Sequence, residues 1–552
     1  MKRKIYIILV FALAFLTKSC DKFIEEELVT DVSAASYYTT EKGLEDAVKA
    51  TYASLKPFYG QEMGFHMTTF GSDIWTNGAD GGHKFFNFYD GQLNGASSYV
   101  TAAWDLWYQG VNQANAVINR STEVEMDEAQ KNLRIAEVRF LRALYYFQIV
   151  TTYGDAHLSL EETEGVQVEA NKTSQAEIYT QAIVPDLEFA IGNLPDSQSD
   201  YGRATKAAAE FLLGKALLTR SYKSFAEGTD ASRAETYFSN VINNYGFSLL
   251  PNFSSLWDIT NEGNSEMVFV ISNSKAQVDS DVDEYGHRGH LYFLMEYDVR
   301  RGMTRDIANG RPWKRFRPTD FMLGLWDRNV DSRYDKSFKH VFYANKDEPA
   351  TEASGDEPAR AAIAIGDTAI YIPGPGKDID WPQSLQDTKP YITITNDEYS
   401  ERLFPPMNKW IDPTRPDRQK VNGQRDFILM RLGDAYLLRA EARLQQNNTS
   451  GAADDINVVR LRSAWPGQEA ASQITAGDVN LDFLLDERAR ELAGEGWRWW
   501  DLVRTGKLVE RVRLYNPEGA PNIQDYHMVR PIPQNQIDRT LGGYPQNPGY
   551  PQ

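Results

Sequence analysis

Apolar side chains recur at helical spacing in the first and last parts of this 552-residue chain, and this pattern limits the available folds most strongly. Leu44, Val48 and Tyr52 follow one another at intervals of four residues and therefore share one face of a helix. A chain that repeats this spacing many times must pack helices against one another. The same kind of spacing predicts helices over residues 37–58, 104–119, 132–153, 176–194, 206–222, 427–446, 452–461 and 481–493.

The middle of the chain, residues 248–424, lacks this spacing. Short β-type runs such as Met267–Ile271 and Tyr391–Ile394 alternate there with clusters of proline and glycine. We therefore predict a mainly α fold. Its helices, in residues 20–247 and 425–552, flank an irregular insertion of loops and short strands.

Two predicted helix pairs have the alternation of large and small residues that lets helices nest in tetratricopeptide repeats. The first pair combines Leu429, Leu432, Gly433 and Tyr436 with Ala452, Ile456 and Val459, and the second combines Leu213, Gly214 and Leu217 with Ala234, Phe238 and Val241. Glu210 does not fit the repeat pattern. The pairs by themselves predict only a helical scaffold.

Composition and charge exclude several classes of protein. Apolar residues make up 42% of the chain, with 12 Trp, 29 Tyr and 26 Phe, which is typical of a folded globular protein. The formal charge of -19 argues against a nucleic-acid partner, because lysine and arginine supply most of the affinity for phosphates. The single cysteine excludes internal disulfides and cysteine-based zinc sites.

The N-terminus has the pattern of a signal peptide. Three basic residues precede the apolar run Ile5–Leu16, which is too short to span a bilayer as a helix. The run ends near Ser19 and Cys20, which looks like a bacterial lipoprotein signal with Cys20 as the lipidated residue. Removal of residues 1–19 would take the formal charge from -19 to -23. An ordinary signal peptide with an incidental cysteine is the alternative.

Several segments together resemble the SusD/RagB family of Bacteroidetes outer-membrane lipoproteins. The acidic run after Cys20 resembles the tag that sends such lipoproteins to the outer face of the outer membrane. The other segments are Glu137–Tyr146 with Tyr153–Asp155, Gly202–Lys206, Asn264–Ile271, Arg425–Ala442, Asp486–Leu492 with Glu495–Gly506, Pro531–Pro533 and Gln546–Tyr550. They span nearly the whole mature chain.

This resemblance implies a single SusD-like domain over residues 20–552, with the segment 248–424 contributing to the ligand face. It also implies a surface-exposed, lipid-anchored protein of the outer membrane that binds glycans. The protein would deliver them to a SusC-like TonB-dependent transporter. We expect no enzymatic activity. A receptor for peptides or glycopeptides, or a lipid-anchored glycoside hydrolase, remains an alternative.

Glu487 and Glu491 are four residues apart on a predicted helix and would repel each other unless arginines pair with them. We expect a buried network with Arg488, Arg498 or Arg504. An arginine-rich setting lowers the pKa of a carboxyl, whereas a general acid needs a raised pKa, so a catalytic pair is disfavoured.

A glycan site needs exposed aromatic rings for the C–H faces of sugars and polar groups for their hydroxyls. Two loop regions carry such residues, 73–94 and 285–313. For each aromatic side chain the alternative is burial in the core. The predicted glycan-binding residues are Asp73, Trp75, Tyr89, Asn94, Tyr285, Tyr292, Trp313 and Arg315.

Seven basic residues and one acid lie between Arg300 and Arg317 in this otherwise acidic chain. They predict either recognition of an anionic glycan, through bidentate arginine contacts, or pairing with acids of the same chain. His287 and His290 are three residues apart and are weak evidence for a metal site. No phosphate-binding loop or catalytic signature is present in the sequence, so we expect neither a catalytic metal nor a cofactor.

Overall fold

The computed structural model describes residues 37–273, 285–355 and 358–551. The protein is mainly helical, as predicted. The helices are α1 (Glu41–Ala53), α2 (Glu62–Thr68), α3 (Phe85–Phe88), α4 (Ser98–Arg120), α5 (Glu128–Tyr153), α6 (Gln175–Ile178), α7 (Val184–Asn193), α8 (Lys206–Arg220), α9 (Asp230–Asn244), α10 (Gly289–Tyr292), α11 (Asp320–Leu323), α12 (Arg333–Ser337), α13 (Gln383–Gln386), α14 (Leu432–Gln445), α15 (Thr449–Ser463), α16 (Glu469–Ser472), α17 (Leu481–Leu492), α18 (Arg498–Arg504), α19 (Leu508–Tyr515) and α20 (Gln534–Arg539). The strands are β1 (Trp75–Asn77), β2 (Met267–Ile271), β3 (Phe316–Pro318), β4 (Val341–Tyr343), β5 (Thr368–Tyr371), β6 (Ile392–Thr393) and β7 (Phe427–Arg431).

The long helices pack side by side in an array that runs α4, α5, α7, α8, α9, α14 and α15. Helix α9 packs directly on α14, although the whole insertion separates them in sequence. Thr205 caps α8, because its side chain accepts a hydrogen bond from the Ala208 N–H. The array therefore joins the two helical parts of the chain into one scaffold.

The two repeat-like pairs are α8 with α9 and α14 with α15. Gly214 makes room for Phe238, since a Cβ at this glycine would lie 3.0 Å from the ring. The prediction for the other pair is partly wrong. Leu429 lies in β7, which hydrogen-bonds to β2, and the helix begins at Leu432. Gly433 leaves space for the side chains of Arg431 and Glu491 rather than for a neighbouring helix.

Three small sheets organise the insertion. Strands β2 and β7 pair antiparallel where the chain enters and leaves it. Strand β1 pairs antiparallel with β3 and brings Trp75 opposite Pro318, so the loop region around residue 75 meets the insertion. Strands β4, β5 and β6 form a three-stranded sheet with its own small hydrophobic core, and the predicted strand 391–394 is observed as Ile392–Thr393.

The predicted network around Glu487 and Glu491 is present and buried. The Arg333 guanidinium lies 2.6 Å from a Glu487 carboxylate oxygen and 3.1 Å from one of Glu491. Arg431 binds Glu491 at 2.7 Å, and Arg462 pairs with it as well. Burial raises the pKa of Glu487, but Arg333 and the other arginines outweigh this effect and lower it to about 2. These carboxylates are therefore permanently charged structural groups.

The predicted arginine partners of this network were wrong. Arg488, Arg498 and Arg504 point away from Glu487 and Glu491 and bind other buried carboxylates. Arg488 binds Asp434 and Asp501, Arg498 binds Asp73, and Arg504 binds Glu441 and Asp501. Trp499 and Trp500, next to Arg498 in the chain, are buried core residues.

Cys20 and the predicted signal peptide lie outside the described residues. Across residues 37–273, 285–355 and 358–551, no helix is long and apolar enough to cross a membrane.

Candidate functional site

A groove of about 1290 Å³ lies where α1, α2 and α4 meet the end of β2 and the segment 285–288. One wall is a stripe along α4 whose members are spaced three or four residues apart, namely Tyr99, Ala102, Leu106, Gln109 and Gln113. The opposite wall contains residues 200–203 and 270–272. The groove therefore lies between the helical scaffold and the insertion.

Three tyrosines give the groove aromatic surface. Tyr201 is 51% exposed and Tyr285 is 39% exposed. The Tyr201 ring packs over Gly263, where a Cβ would approach the ring to 3.3 Å. Tyr99 is partly exposed and stacks on His83, with ring centroids 3.8 Å apart. The Tyr99 and Tyr201 rings are thus supported by protein while part of their surface faces the groove.

Polar side chains lie among these rings. The exposed Gln109 amide makes no hydrogen bond within the described part of the chain. Arg288 donates to the Asn422 side-chain oxygen at 2.6 Å. Glu62 lies 2.9 Å from the Arg315 guanidinium. Burial raises the pKa of Glu62 and outweighs the opposing attraction of Arg315.

Aromatic faces next to amide, guanidinium and carboxylate groups can bind a ligand that has both C–H faces and hydroxyls. Gln61 fixes one edge of the groove, because its amide donates to the Gly286 carbonyl at 2.5 Å. Ser54 similarly donates to Gln113 at 2.6 Å and joins α1 to α4. The walls are therefore connected before any ligand binds.

Four of the eight predicted site residues are buried, which contradicts their expected role. Asp73 is fully buried and binds Arg498 and Arg511, which hold its pKa below the usual range although burial acts in the opposite direction. The pairing of β1 with β3 encloses Trp75, whose ring centroid lies 4.7 Å from that of Phe293.

Tyr89 and Tyr292 are also core residues. The Tyr89 hydroxyl donates to the Gly71 carbonyl, and 2% of the residue is exposed. Tyr292 is fully buried and packs edge-on against Phe65. The aromatic composition of these loops therefore serves the core as well as the surface.

The other predicted residues have different roles. Tyr285 lines the groove, and Arg315 contacts its edge through Glu62. Trp313 is half-buried next to the guanidinium of Arg315, 5.1 Å from the ring centroid. Asn94 forms a local turn by bonding to the backbone of Gly91 and Ala96.

The basic residues between Arg300 and Arg317 mostly pair within the chain. Pairing with acids of the same chain is therefore a better interpretation of this segment than recognition of an anionic glycan. Arg300 binds Glu296, Arg305 binds Asp298, Lys314 binds Asp80 and Arg317 binds Glu518. Arg301 donates to three backbone carbonyls. Arg311 lies 5.6 Å from the Trp313 ring.

His287 and His290 are buried, and burial lowers the pKa of both. No group of three or more histidine, cysteine, aspartate or glutamate side chains could hold a metal ion within the described ranges.

The sequence interpretation missed Tyr99, Tyr201 and Gln109. A signal for Tyr201 was available, since it is an aromatic residue in the polar turn 196–203. Tyr99 and Gln109 belong to a second stripe on α4, opposite the apolar stripe of Trp104, Trp107 and Val111.

Sequence comparisons find related proteins over nearly the whole chain. A sequence model described as "SusD family" matches residues 275–550, and one described as "Starch-binding associating with outer membrane" matches residues 30–223. A SusD-like protein of Formosa agariphila is 26% identical over 99% of this chain and 100% of its own length. The starch-binding protein SusD of Bacteroides thetaiotaomicron is 26% identical over 77% of this chain and 74% of its own.

Solved structures have the same fold. A laminarin-binding SusD-like protein superposes with a TM-score of 0.69 at 25% identity, covering 93% of this chain and 100% of its own. The NanU protein of B. fragilis gives a TM-score of 0.69 at 21% identity over 95% of this chain and 100% of its own, a likeness that concerns the fold alone.

Proposed function

Since this chain belongs to the SusD family, we propose that it is a glycan-binding lipoprotein of the outer cell surface and that the groove holds the sugar. One family description that matches the chain names starch binding and association with the outer membrane. Related proteins are named for binding starch and laminarin. These names support an oligosaccharide or polysaccharide as the ligand.

The observation that carries the proposal is the composition of the groove. Tyr99 and Tyr201 present supported aromatic faces, Tyr285 presents a partly exposed ring, and Gln109 presents an amide with no hydrogen-bond partner among the described residues. Sugar rings stack on such faces, while amide groups can bind their hydroxyls. Because the Tyr99 and Tyr201 rings are already packed against the protein, binding does not have to pay for ordering them.

The groove is proposed to bind without cleaving. A glycosidase needs two carboxyl groups that flank the scissile bond, one of them a proton donor. Glu62 faces the groove with a raised pKa, but the Arg315 guanidinium lies against its carboxylate. We therefore assign Glu62 to hydroxyl recognition rather than to proton transfer.

Delivery to a SusC-like TonB-dependent transporter completes the proposal. Lipidation at Cys20 would tether the protein at the membrane surface, and the protein would cover the transporter as a lid. Released glycan would then remain next to the transporter entrance. If deletion of the transporter leaves uptake of the bound glycan unimpaired, the delivery role is wrong.

The binding proposal is tested by affinity electrophoresis in gels containing laminarin, soluble starch or alginate, with a casein-derived peptide mixture as competitor. The wild-type protein should be retarded by at least one glycan. Tyr99→Ala and Tyr201→Ala should weaken that retardation, and Tyr343→Ala, which changes an exposed tyrosine away from the groove, should not. Product analysis of the same incubations should detect no cleavage. Equal retardation of all variants would refute the assigned groove. Loss of the glycan retardation when the peptides are added would favour the peptide receptor.

A further inference from the structure

A second group of accessible aromatic side chains lies on the insertion, away from the groove. It consists of Tyr371 on β5, Trp381 and Tyr391, which we call the aromatic patch. The Tyr371 ring centroid lies 5.0 Å from that of Trp381 and 6.4 Å from that of Tyr391. All three residues are partly exposed. The three rings therefore form one continuous aromatic surface.

The aromatic patch is not part of a hydrophobic core. The small core under the three-stranded sheet contains residues such as Phe342 and Ile370 but none of these three rings. Ile379, two residues before Trp381 in the chain, is 85% exposed. Clustered exposed apolar side chains on a soluble protein commonly mark a binding site.

Polar groups surround these rings. The hydroxyls of Tyr371 and Tyr391 make no hydrogen bond to any residue in the described ranges. The Lys389 ammonium lies 5.7 Å from the Trp381 ring centroid, and Gln383 donates to Asp387 at 2.6 Å nearby in sequence. The aromatic patch thus combines flat apolar faces with free hydroxyl groups.

We infer that the aromatic patch is a second glycan-binding site, which holds another part of the same polysaccharide chain. This inference rests on the proposed function, since it takes the ligand to be a glycan. Sugar C–H faces would stack on Trp381 and Tyr391, and the free phenol hydroxyls would bind sugar hydroxyls. A peptide surface would gain less from these phenols than a ligand with hydroxyls on every residue.

Two sites on one protein bind a long chain more tightly than either site alone. Once one site is occupied, the second meets the same chain at a high effective concentration, and the apparent affinity can rise about 10²–10⁴-fold. A short oligosaccharide cannot occupy both sites and gains nothing. Dependence on chain length therefore distinguishes this inference from binding in the groove alone.

The experiment measures dissociation constants by calorimetry for laminarin, laminaritriose, amylopectin and maltotriose. Trp381→Ala and Tyr391→Ala should each weaken binding of the polymer at least about tenfold and leave the affinity of the groove for the trisaccharide unaffected. Trp381→Phe should restore much of the polymer affinity. Tyr343→Ala changes a tyrosine that is 61% exposed on β4 of the same sheet and should bind like the wild type.

The outcomes separate the two proposals. If the wild type binds a polymer and both Trp381→Ala and Tyr391→Ala bind it equally well, the second site is refuted while the proposed function stands. If the wild type binds none of the four glycans, the proposed function and the second site both fail for these glycans. Thermal melting of each variant identifies misfolded protein, and Tyr391→Ala replaces Trp381→Ala if the latter does not fold.

Discussion

The ion-pair network around α17 and the groove beside α4 use polar residues in opposite ways. In the network, every charge has a buried partner, as Glu491 has in Arg333, Arg431 and Arg462. In the groove, Gln109 has no partner among the described residues, and tyrosine rings face solvent. The most conspicuous charged motif of the sequence therefore serves the fold, and the candidate binding surface relies on tyrosine rings and on the Gln109 amide.

The difference has a simple physical cause. A buried charge must be paired, because the free-energy cost of taking an unpaired charge out of water is too large for the rest of the fold to offset. Dense charge in a helical motif therefore predicts internal pairing. A group that binds a ligand must instead keep some hydrogen-bonding capacity free before the ligand arrives, as the Gln109 amide does. A sequence search that looks for charge density finds the first kind of site and misses the second.

The largest expected effect is loss of stability when the network is broken. Glu491→Ala leaves three buried arginines short of a partner and should lower the free energy of unfolding by about 3–5 kcal/mol. Urea denaturation measures the change. Glu188→Ala removes an exposed partner of Arg233 and should cause no resolvable change, as should Gln109→Ala in the groove. Equal stability of Glu491→Ala and the wild type would remove the contrast between the two regions.

A pH titration should separate the regions further. Burial lowers the pKa of His66, on the helix α2 beside the groove, to about 3, and that of the buried His527 to about 4. A histidine with a depressed pKa stabilises the fold above its unfolded pKa of about 6.5 and loses that contribution as the pH falls. The network carboxylates keep their stabilising contribution down to about pH 4.5, the ordinary pKa of a glutamate. They lose it below that pH, as the pH falls toward the pKa of about 2 that Glu487 has in the folded protein.

As the pH falls from 6.5 to 5.5, His66 should therefore lower the free energy of unfolding by about 1 kcal/mol. His66→Gln should flatten the dependence of the free energy of unfolding on pH in this window. Equal slopes for the wild type and this variant would contradict the assignment.

The smallest expected effect concerns the basic segment 300–317. Arg305 lies on its surface and pairs with Asp298 at 2.7 Å. If pairing within the chain is its role, Arg305→Ala should leave the affinity for alginate and for laminarin unchanged. Calorimetry on both polymers measures this directly. A selective loss of alginate binding would restore the anionic-glycan hypothesis for this segment.

The sequence predicted the helices well because helical spacing is a local property. The N-terminal loop region around residue 75 meets the insertion through the β1–β3 pairing. The sequence could not predict which faces that contact would enclose. Trp75 between Asp73 and Asn77 has the composition of a sugar site, yet strand pairing places it in the core.

The missed groove residues follow the same logic. Tyr99 and Gln109 lie on the face of α4 that is not apolar, and such a face is normally assigned to solvent. Only the position of residues 200–203 and 285–288 across from it turns this face into a wall. That position depends on contacts between residues far apart in sequence.

The β2–β7 ladder fastens the outgoing and returning strands of the insertion to each other, with Ile271 opposite Phe427. The two ends of the insertion are thus held together where it leaves the helical array after α9 and rejoins it before α14. The entropy cost of a closed loop grows only with the logarithm of its length, about 0.6 kcal/mol per doubling. Segments of different length can therefore be exchanged most cheaply around β4, β5 and β6, which have their own small core, whereas Arg333 and β3 tie other parts of the insertion to Glu487 and β1 of the scaffold.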